Sequence, residues 1–182
     1  YGDRQLQAQQ PGWTIDARNP QVMKAVLMNS ADKIEDMGDG ANLGMTRTLR
    51  DQRNLDWLSS DAHLNASLPL SAELGTGHLN AYRAYEQFSA GQQAPDLGSV
   101  DAMGWDYRAV GTGDEAPDYQ DYAIADALEA GSFISVTLAW TRQVILNDTN
   151  GNEQYDLGET FSDRGLNNLD LYLLPAEADS IS

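Results

Sequence analysis

The sequence predicts a helical first half followed by an all-β second half. Apolar residues recur at the three- to four-residue spacing of an α-helix in 20–34 and again in 81–88. In 132–140 and 168–174 they alternate with polar residues, which is typical of strands with one buried face. The period changes after the linker 91–99, so the two halves are expected to form separate domains.

The first predicted helix spans 20–34. Asn19 is a suitable N-cap, and Pro20 fits the first helical position. A helix that is apolar around most of its circumference is normally buried from several sides. Its predicted apolar stripe comprises Met23, Leu27 and Ile34, and the stripe is widened by Val22, Ala25 and Val26. Polar side chains interrupt the apolar surface at Lys24, Asn29, Ser30, Asp32 and Lys33.

The second predicted helix follows a glycine-containing turn. Gly75 and Gly77 permit the positive φ angles of a tight turn, and Asn80 is the expected cap. Gly91 suits the left-handed stop that ends many helices. The predicted apolar face comprises Ala81, Ala84, Tyr85 and Phe88.

The second half predicts a β-sandwich. The candidate strands are 100–110, 121–128, 132–140 and 168–174. A closed sandwich has about seven strands, so the sandwich is expected to be incomplete. The linker at 91–99 separates two predicted domains, 1–91 and 100–182.

Composition excludes several classes of function. The net charge is −17, and 17 of the 28 acidic residues lie in 91–182. This charge argues against nucleic-acid or anionic-membrane partners. The absence of cysteine excludes disulfides, thiolate metal sites and a cysteine nucleophile. No apolar run reaches the roughly 18 residues of a membrane-spanning helix.

The sharpest chemical motif is the loop 148–159, which predicts one Ca²⁺ site. Oxygen donors stand at positions 1, 3, 5, 9 and 12 of a twelve-residue calcium loop. These donors are Asp148, Asn150, Asn152, Asp156 and Glu159. Gln154, at position 7, would contribute its backbone carbonyl. Glu153 occupies position 6, where the usual loop has Gly for a sharp bend; the alternative is an Asx-rich turn without metal.

Two segments carry a family resemblance. NPQVMKAVLMNSADKI (19–34) and LGTGHLNAYRAY (74–85) resemble, in order and spacing, the C-terminal part of a subtilisin-like serine peptidase domain. The matching positions are Pro20, Lys24, Ala25, Leu27, Ala31, Gly75, Gly77, Asn80, Ala81 and Ala84. GSFISVTLAW (131–140) and NNLDLYLL (167–174) look like strands of the β-sandwich that secreted members often append.

The resemblance implies that the first part is an α/β fragment, the C-terminal helices of a subtilisin-like fold. The chain would then be the non-catalytic C-terminal portion of a secreted endopeptidase, and its partner would be the upstream catalytic part of the same polypeptide. The parent would hydrolyse peptide bonds of protein or peptide substrates. No catalytic residue is expected here, because the family's D-x-G, H-G and G-T-S-x-A motifs do not occur together: the chain has D-x-G triplets but lacks both H-G and G-T-S-x-A. His63 and His78 are expected at the surface or in turns.

An alternative hypothesis belongs to a different functional class. The chain would be a non-catalytic extracellular module that binds calcium and presents a β surface to a glycan or protein. A large exposed apolar face in residues 1–90 would favour the peptidase fragment. A self-sufficient core would favour the independent module.

Overall fold

The computed structural model describes residues 1–65, 67–68, 70–95, 98–111 and 116–175. The chain divides into two compact units, residues 1–137 and 138–182. The helices are α1 (Gly2–Gln7), α2 (Pro20–Asn29), α3 (Asp61–Leu64) and α4 (Ala81–Ser89), with 3₁₀ turns at Ile15–Arg18 and Trp57–Ser59. The strands are β1 (Gln143–Asn147) and β2 (Thr160–Gly165). Helices therefore occupy the first unit and a small antiparallel sheet the second, while the predicted domain limits stay a prediction.

Helix α2 is shorter than predicted and buries a different face. The Ser30 hydroxyl donates to the Val26 carbonyl at 2.7 Å, and Ser30 caps the helix. The buried side chains are Val22 and Val26, whereas Met23 and Leu27 are each 39% exposed. The predicted stripe was therefore wrong for those two residues, because α4 packs on the Val22 and Val26 side.

After α2 the chain is extended and forms an antiparallel bridge. The Asp32 amide donates to the His78 carbonyl at 2.7 Å, and the His78 amide donates to the Asp32 carbonyl at 2.8 Å. A Cβ at Gly77 would lie 2.4 Å from the Asp32 carbonyl oxygen, and Gly77 has φ 121°. Only glycine fits this close approach. The predicted glycine turn is thus confirmed.

Helix α4 begins and ends as predicted. Asn80 Oδ1 accepts a hydrogen bond from the Arg83 amide at 3.1 Å, and Gly91 has φ 95°. Ala84 and Phe88 face the core, but Tyr85 is 51% exposed.

The core of the first unit is small and aromatic. Ala17, Val22, Val26, Ala84 and Trp105 are buried together, with Trp13 and Phe88 packed against them. The Phe88 and Trp105 rings stack with centroids 5.7 Å apart, and Trp13 meets both rings edge-on. Such aromatic pairs add to the free energy of burial. They fix the region after α4 against α2.

The second unit contains one antiparallel pair. β1 and β2 run in register from Asn147↔Thr160 to Val144↔Asp163, with an irregularity between Gln143 and Val144. Neither 132–140 nor 168–174 pairs as a strand among the described residues. The β-sandwich accordingly stays a prediction. No helix in the described ranges is long and apolar enough to cross a bilayer.

Candidate functional site

The calcium-type loop connects the two strands of the sheet. β1 ends at Asn147 and β2 begins at Thr160, so residues 148–159 form the hairpin connection. The side-chain amide of Asn147 donates to the Thr160 hydroxyl at 2.8 Å across the base of the loop. Tyr155 stacks on Phe161 with centroids 5.5 Å apart. These contacts anchor both the base and the middle of the loop to the strands.

Asp148, the first predicted ligand, organises the start of the loop. Its carboxylate accepts the backbone amides of Glu153 at 2.7 Å, Gly151 at 2.6 Å and Asn150 at 3.1 Å. The Glu153 amide contributes most to holding the pKa of Asp148 below its usual value. Asp148 is therefore a carboxylate near neutral pH, as a calcium ligand must be.

Glu159, the last predicted ligand, closes the loop. Its side chain accepts the Asp156 amide at 3.0 Å and both the amide and the hydroxyl of Thr149, at 2.8 and 3.1 Å. Hydrogen bonding from the Asp156 amide is the largest cause of its lowered pKa, and the charge of Asp148 opposes that shift. The residue is only 7% exposed. This buried carboxylate ties the end of the loop to its beginning.

The middle ligands converge on Asp156. Its Oδ2 accepts the side-chain amides of Asn150 at 2.6 Å and Asn152 at 2.8 Å. A half-turn of each amide about its Cβ–Cγ bond would bring oxygen in place of nitrogen. It would give up the hydrogen bonds that these oxygens accept from the backbone amides of Asn152 at 3.0 Å and Gln154 at 2.8 Å. Among the described residues no donor reaches the Gln154 carbonyl, the predicted position-7 donor. The donor set of the loop thus fits an oxygen-preferring cation.

The sixth position is conformationally costly. Glu153 has φ 61°, in the left-handed region that favours glycine. The bend of a calcium loop is therefore adopted with a residue that resists it. No group of three or more His, Cys, Asp or Glu side chains able to hold a metal occurs among the described residues. A site here would depend on the amide and carbonyl oxygens as well.

A second carboxylate network, around Asp32, was not predicted from the sequence. Asp32 is 1% exposed. Its side chain accepts the Thr46 hydroxyl at 2.6 Å and the Thr46 amide at 3.0 Å, the Asn80 amide at 2.9 Å and the Arg83 guanidinium at 3.4 Å. Burial alone would raise the pKa of Asp32, but these hydrogen bonds outweigh burial and lower it. Within this network, the sequence predicted a structural role only for Asn80, as the cap of the second predicted helix.

Neither histidine side chain pairs with a carboxylate among the described residues. His63 and His78 are both exposed. His78 Nε2 lies 3.3 Å from the Arg47 guanidinium, and the His63 amide donates to Ser60 Oγ. Their surface positions agree with the sequence prediction.

Comparison of the chain with protein-family models, with curated proteins and with solved structures finds no match.

Proposed function

We propose that this chain is the C-terminal, non-catalytic portion of a secreted subtilisin-like serine endopeptidase. The parent would cleave peptide bonds through an acyl-enzyme, with its Asp, His and Ser upstream of Tyr1. Residues 1–91 would support the catalytic fold, and the β part would form an appended domain. No residue of this chain is assigned a catalytic role.

The observation that carries the proposal is the half-covered helix α2. Its Val22 and Val26 side is buried, while Met23 and Leu27 are each 39% exposed. A helix with apolar side chains on two sides requires a second covering layer. In the family that the sequence resembles, the corresponding helix packs on the central parallel sheet, and such a sheet would cover these residues.

The coding sequence upstream of Tyr1 tests this proposal. D-x-G, H-G and G-T-S-x-A motifs, in that order, would support a peptidase. An upstream sequence without them would overturn it. Expression of the longer polypeptide with its predicted serine replaced by Ala would then show whether Met23 and Leu27 become protected from solvent labelling.

We also propose that loop 148–159 binds one Ca²⁺ in an extracellular setting. The support is the oxygen-rich donor set of one anchored hairpin, in which the Asp148 and Glu159 carboxylates hold the two ends of the loop and Asp156 lies against the Asn side chains. The ion would hold the β1–β2 connection rigid and offset local negative charge. Binding to the folded unit alone would stabilise it by about 2.7 kcal/mol at a calcium concentration 100 times Kd.

Isothermal titration with Ca²⁺ and Mg²⁺ tests the site. We expect one Ca²⁺ per chain with a Kd of roughly 10⁻⁴–10⁻³ M, as in extracellular modules. Glu159→Gln removes one carboxylate ligand and is expected to abolish binding. Glu129→Gln, an exposed position outside the loop, serves as the matched control. Equal binding by both variants would contradict the site.

The independent calcium-binding β-sandwich module, which would bind a glycan or protein, is the second candidate. The Asp32 network favours it, because this network joins the segment after α2 to Thr46 and to α4 without any further layer. Autonomous cooperative unfolding of the chain, together with an upstream sequence lacking peptidase motifs, would support this candidate over the first.

A further inference from the structure

A cavity of about 210 Å³ lies within the first unit. It is lined by Lys33 and Trp57, together with Met28, Thr76 and residues 133–137. Its wall therefore combines apolar side chains with hydroxyl groups and one cationic side chain. Small-molecule sites are concave and place a few convergent polar groups among apolar side chains.

Lys33 is a buried cation with too few partners. It is only 8% exposed. Its Nζ donates to the Ala31 carbonyl at a long 3.4 Å and lies 5.5 Å from the centroid of the Trp57 ring. An ammonium group has three donors, and Lys33 forms no ion pair among the described residues. A buried charge in this state favours an incoming anion.

The neighbouring carboxylate of Asp32 does not pair with the Lys33 ammonium group. Asp32 is already engaged by Thr46, Asn80 and Arg83. Burial, followed by the charge of Arg83, lowers the pKa of Lys33 to about 8, and Asp32 opposes this only in part. The cation of Lys33 is thus destabilised in the cavity as it stands.

Thr76 offers a second donor on the same cavity. Among the described residues its hydroxyl has no hydrogen bond. By contrast, the hydroxyls of Ser135 and Thr137 donate to Asn29 Oδ1, at 2.8 and 3.0 Å. Lys33 and Thr76 are therefore the two groups left to donate to a ligand. Two donors suit the two oxygens of a carboxylate.

We propose that this cavity binds a small organic acid, with its carboxylate at Lys33 and Thr76 and its apolar part against Trp57 and Phe133. The volume is below the roughly 300 Å³ at which drug-sized sites begin. An acid of the size of phenylacetate is therefore a better match than a peptide. This site is independent of the calcium loop and of the proposed peptidase origin.

The chain contains two lysines, which makes a direct test possible. Lys33 lines the cavity, and Lys24 is exposed on α2. With ¹³Cε-labelled lysine, NMR titration with phenylacetate is expected to move the Lys33 signal and leave that of Lys24 in place. If phenylacetate binds the charged lysine about tenfold tighter than the neutral one, the pKa of Lys33 rises by about one unit.

Phenylacetamide, the neutral analogue, is expected to bind about tenfold more weakly than phenylacetate. Lys33→Met is expected to bind phenylacetate about tenfold more weakly than the original chain. Near-ultraviolet circular dichroism checks that the variant is folded. Should that variant not fold, Thr76→Val provides the variant test and is expected to weaken binding severalfold. Equal shifts of both lysine signals, or equal affinity for the acid and the amide, would overturn the proposal.

Discussion

The Asp32 network and the Asp148 loop are both built around carboxylates, but they recruit partners at very different distances along the chain. The side-chain donors to the Asp32 carboxylate are 14, 48 and 51 residues away. The donors to the Asp148 carboxylate are backbone amides two, three and five residues away. The first network therefore holds tertiary structure together, whereas the second shapes a single connection.

Burial separates the two networks as well. Asp32 and Arg83 form an ion pair with side chains 1% and 11% exposed. Removing one member of a buried pair leaves the other charge without compensation. In the loop, Asp148 is only half-buried, so water can reach the amides that its removal would leave without a partner. Removal of the carboxylate should consequently lower the free energy of unfolding several times more at Asp32 than at Asp148.

The largest expected effect is the loss of Asp32. Asp32→Asn leaves Arg83 without its anion and turns an amide N–H towards the Asn80 donor. We expect the free energy of unfolding of the first unit to fall by about 3–5 kcal/mol. Urea unfolding followed by tryptophan fluorescence measures this.

Asp3→Asn is the matched control for that variant. The Asp3–Arg18 pair has side chains 67% and 56% exposed, with a 2.8 Å contact. Exposed pairs contribute between about 0 and 1 kcal/mol. If the two variants are equally destabilised, the distinction between the buried and exposed networks fails.

The buried region should also respond to alkaline pH through Lys33. Its pKa is about 8 when folded, against 10.5 for the unperturbed group. Between these values the unfolded chain binds more protons, so the free energy of unfolding contributed by Lys33 rises with pH. The difference between the two pKa values corresponds to a rise of about 3 kcal/mol in the free energy of unfolding.

Comparison with Lys33→Met isolates this contribution. The variant carries no titrating group at this position, so the rise between pH 8 and 10.5 should disappear from its unfolding curves. Its stability at pH 7 should exceed that of the original chain by up to about 3 kcal/mol. A rise of equal size in both proteins would assign the effect to other groups.

The same contrast explains what could be predicted from the sequence. The loop was singled out because its oxygen donors repeat at fixed local spacing, and its calcium site stays a prediction. Asn80 was predicted correctly because a cap acts on the next turn. Asp32 and Lys33 were taken as interruptions of an apolar surface, yet they are 1% and 8% exposed. Their burial depends on Thr46, Arg83 and Trp57, which no local pattern connects to them.

The buried face of α2 could not be predicted from periodicity alone either. Periodicity indicated an apolar helix but did not specify which side meets α4. Spacing placed Met23 and Leu27 at the centre of the apolar stripe, whereas the structure buries Val22 and Val26, which only widened it, and leaves the other two partly exposed. Choosing between sides requires knowledge of the packing partner, which lies about 60 residues further along the chain.

The smallest expected effect is in the loop, where local strain alone decides the outcome. Glu153→Gly removes a left-handed strain of roughly 1–2 kcal/mol at φ 61°. Glycine also makes the unfolded chain more flexible, which lowers the free energy of unfolding by roughly 0.5–1 kcal/mol. The net gain should be about 1 kcal/mol, seen without calcium as slower hydrogen exchange of the Leu146 and Phe161 amides.

Gly151→Ala should do the reverse and isolates the backbone as the cause. Gly151 has φ 74°, and a Cβ there would meet no atom within 4 Å. Alanine therefore adds strain without a clash, and exchange of the same two amides should accelerate about fivefold. Unchanged exchange in both variants would mean that the positive φ angles do not limit hairpin stability. The loop would then owe its shape to the Asp148 and Glu159 carboxylates alone.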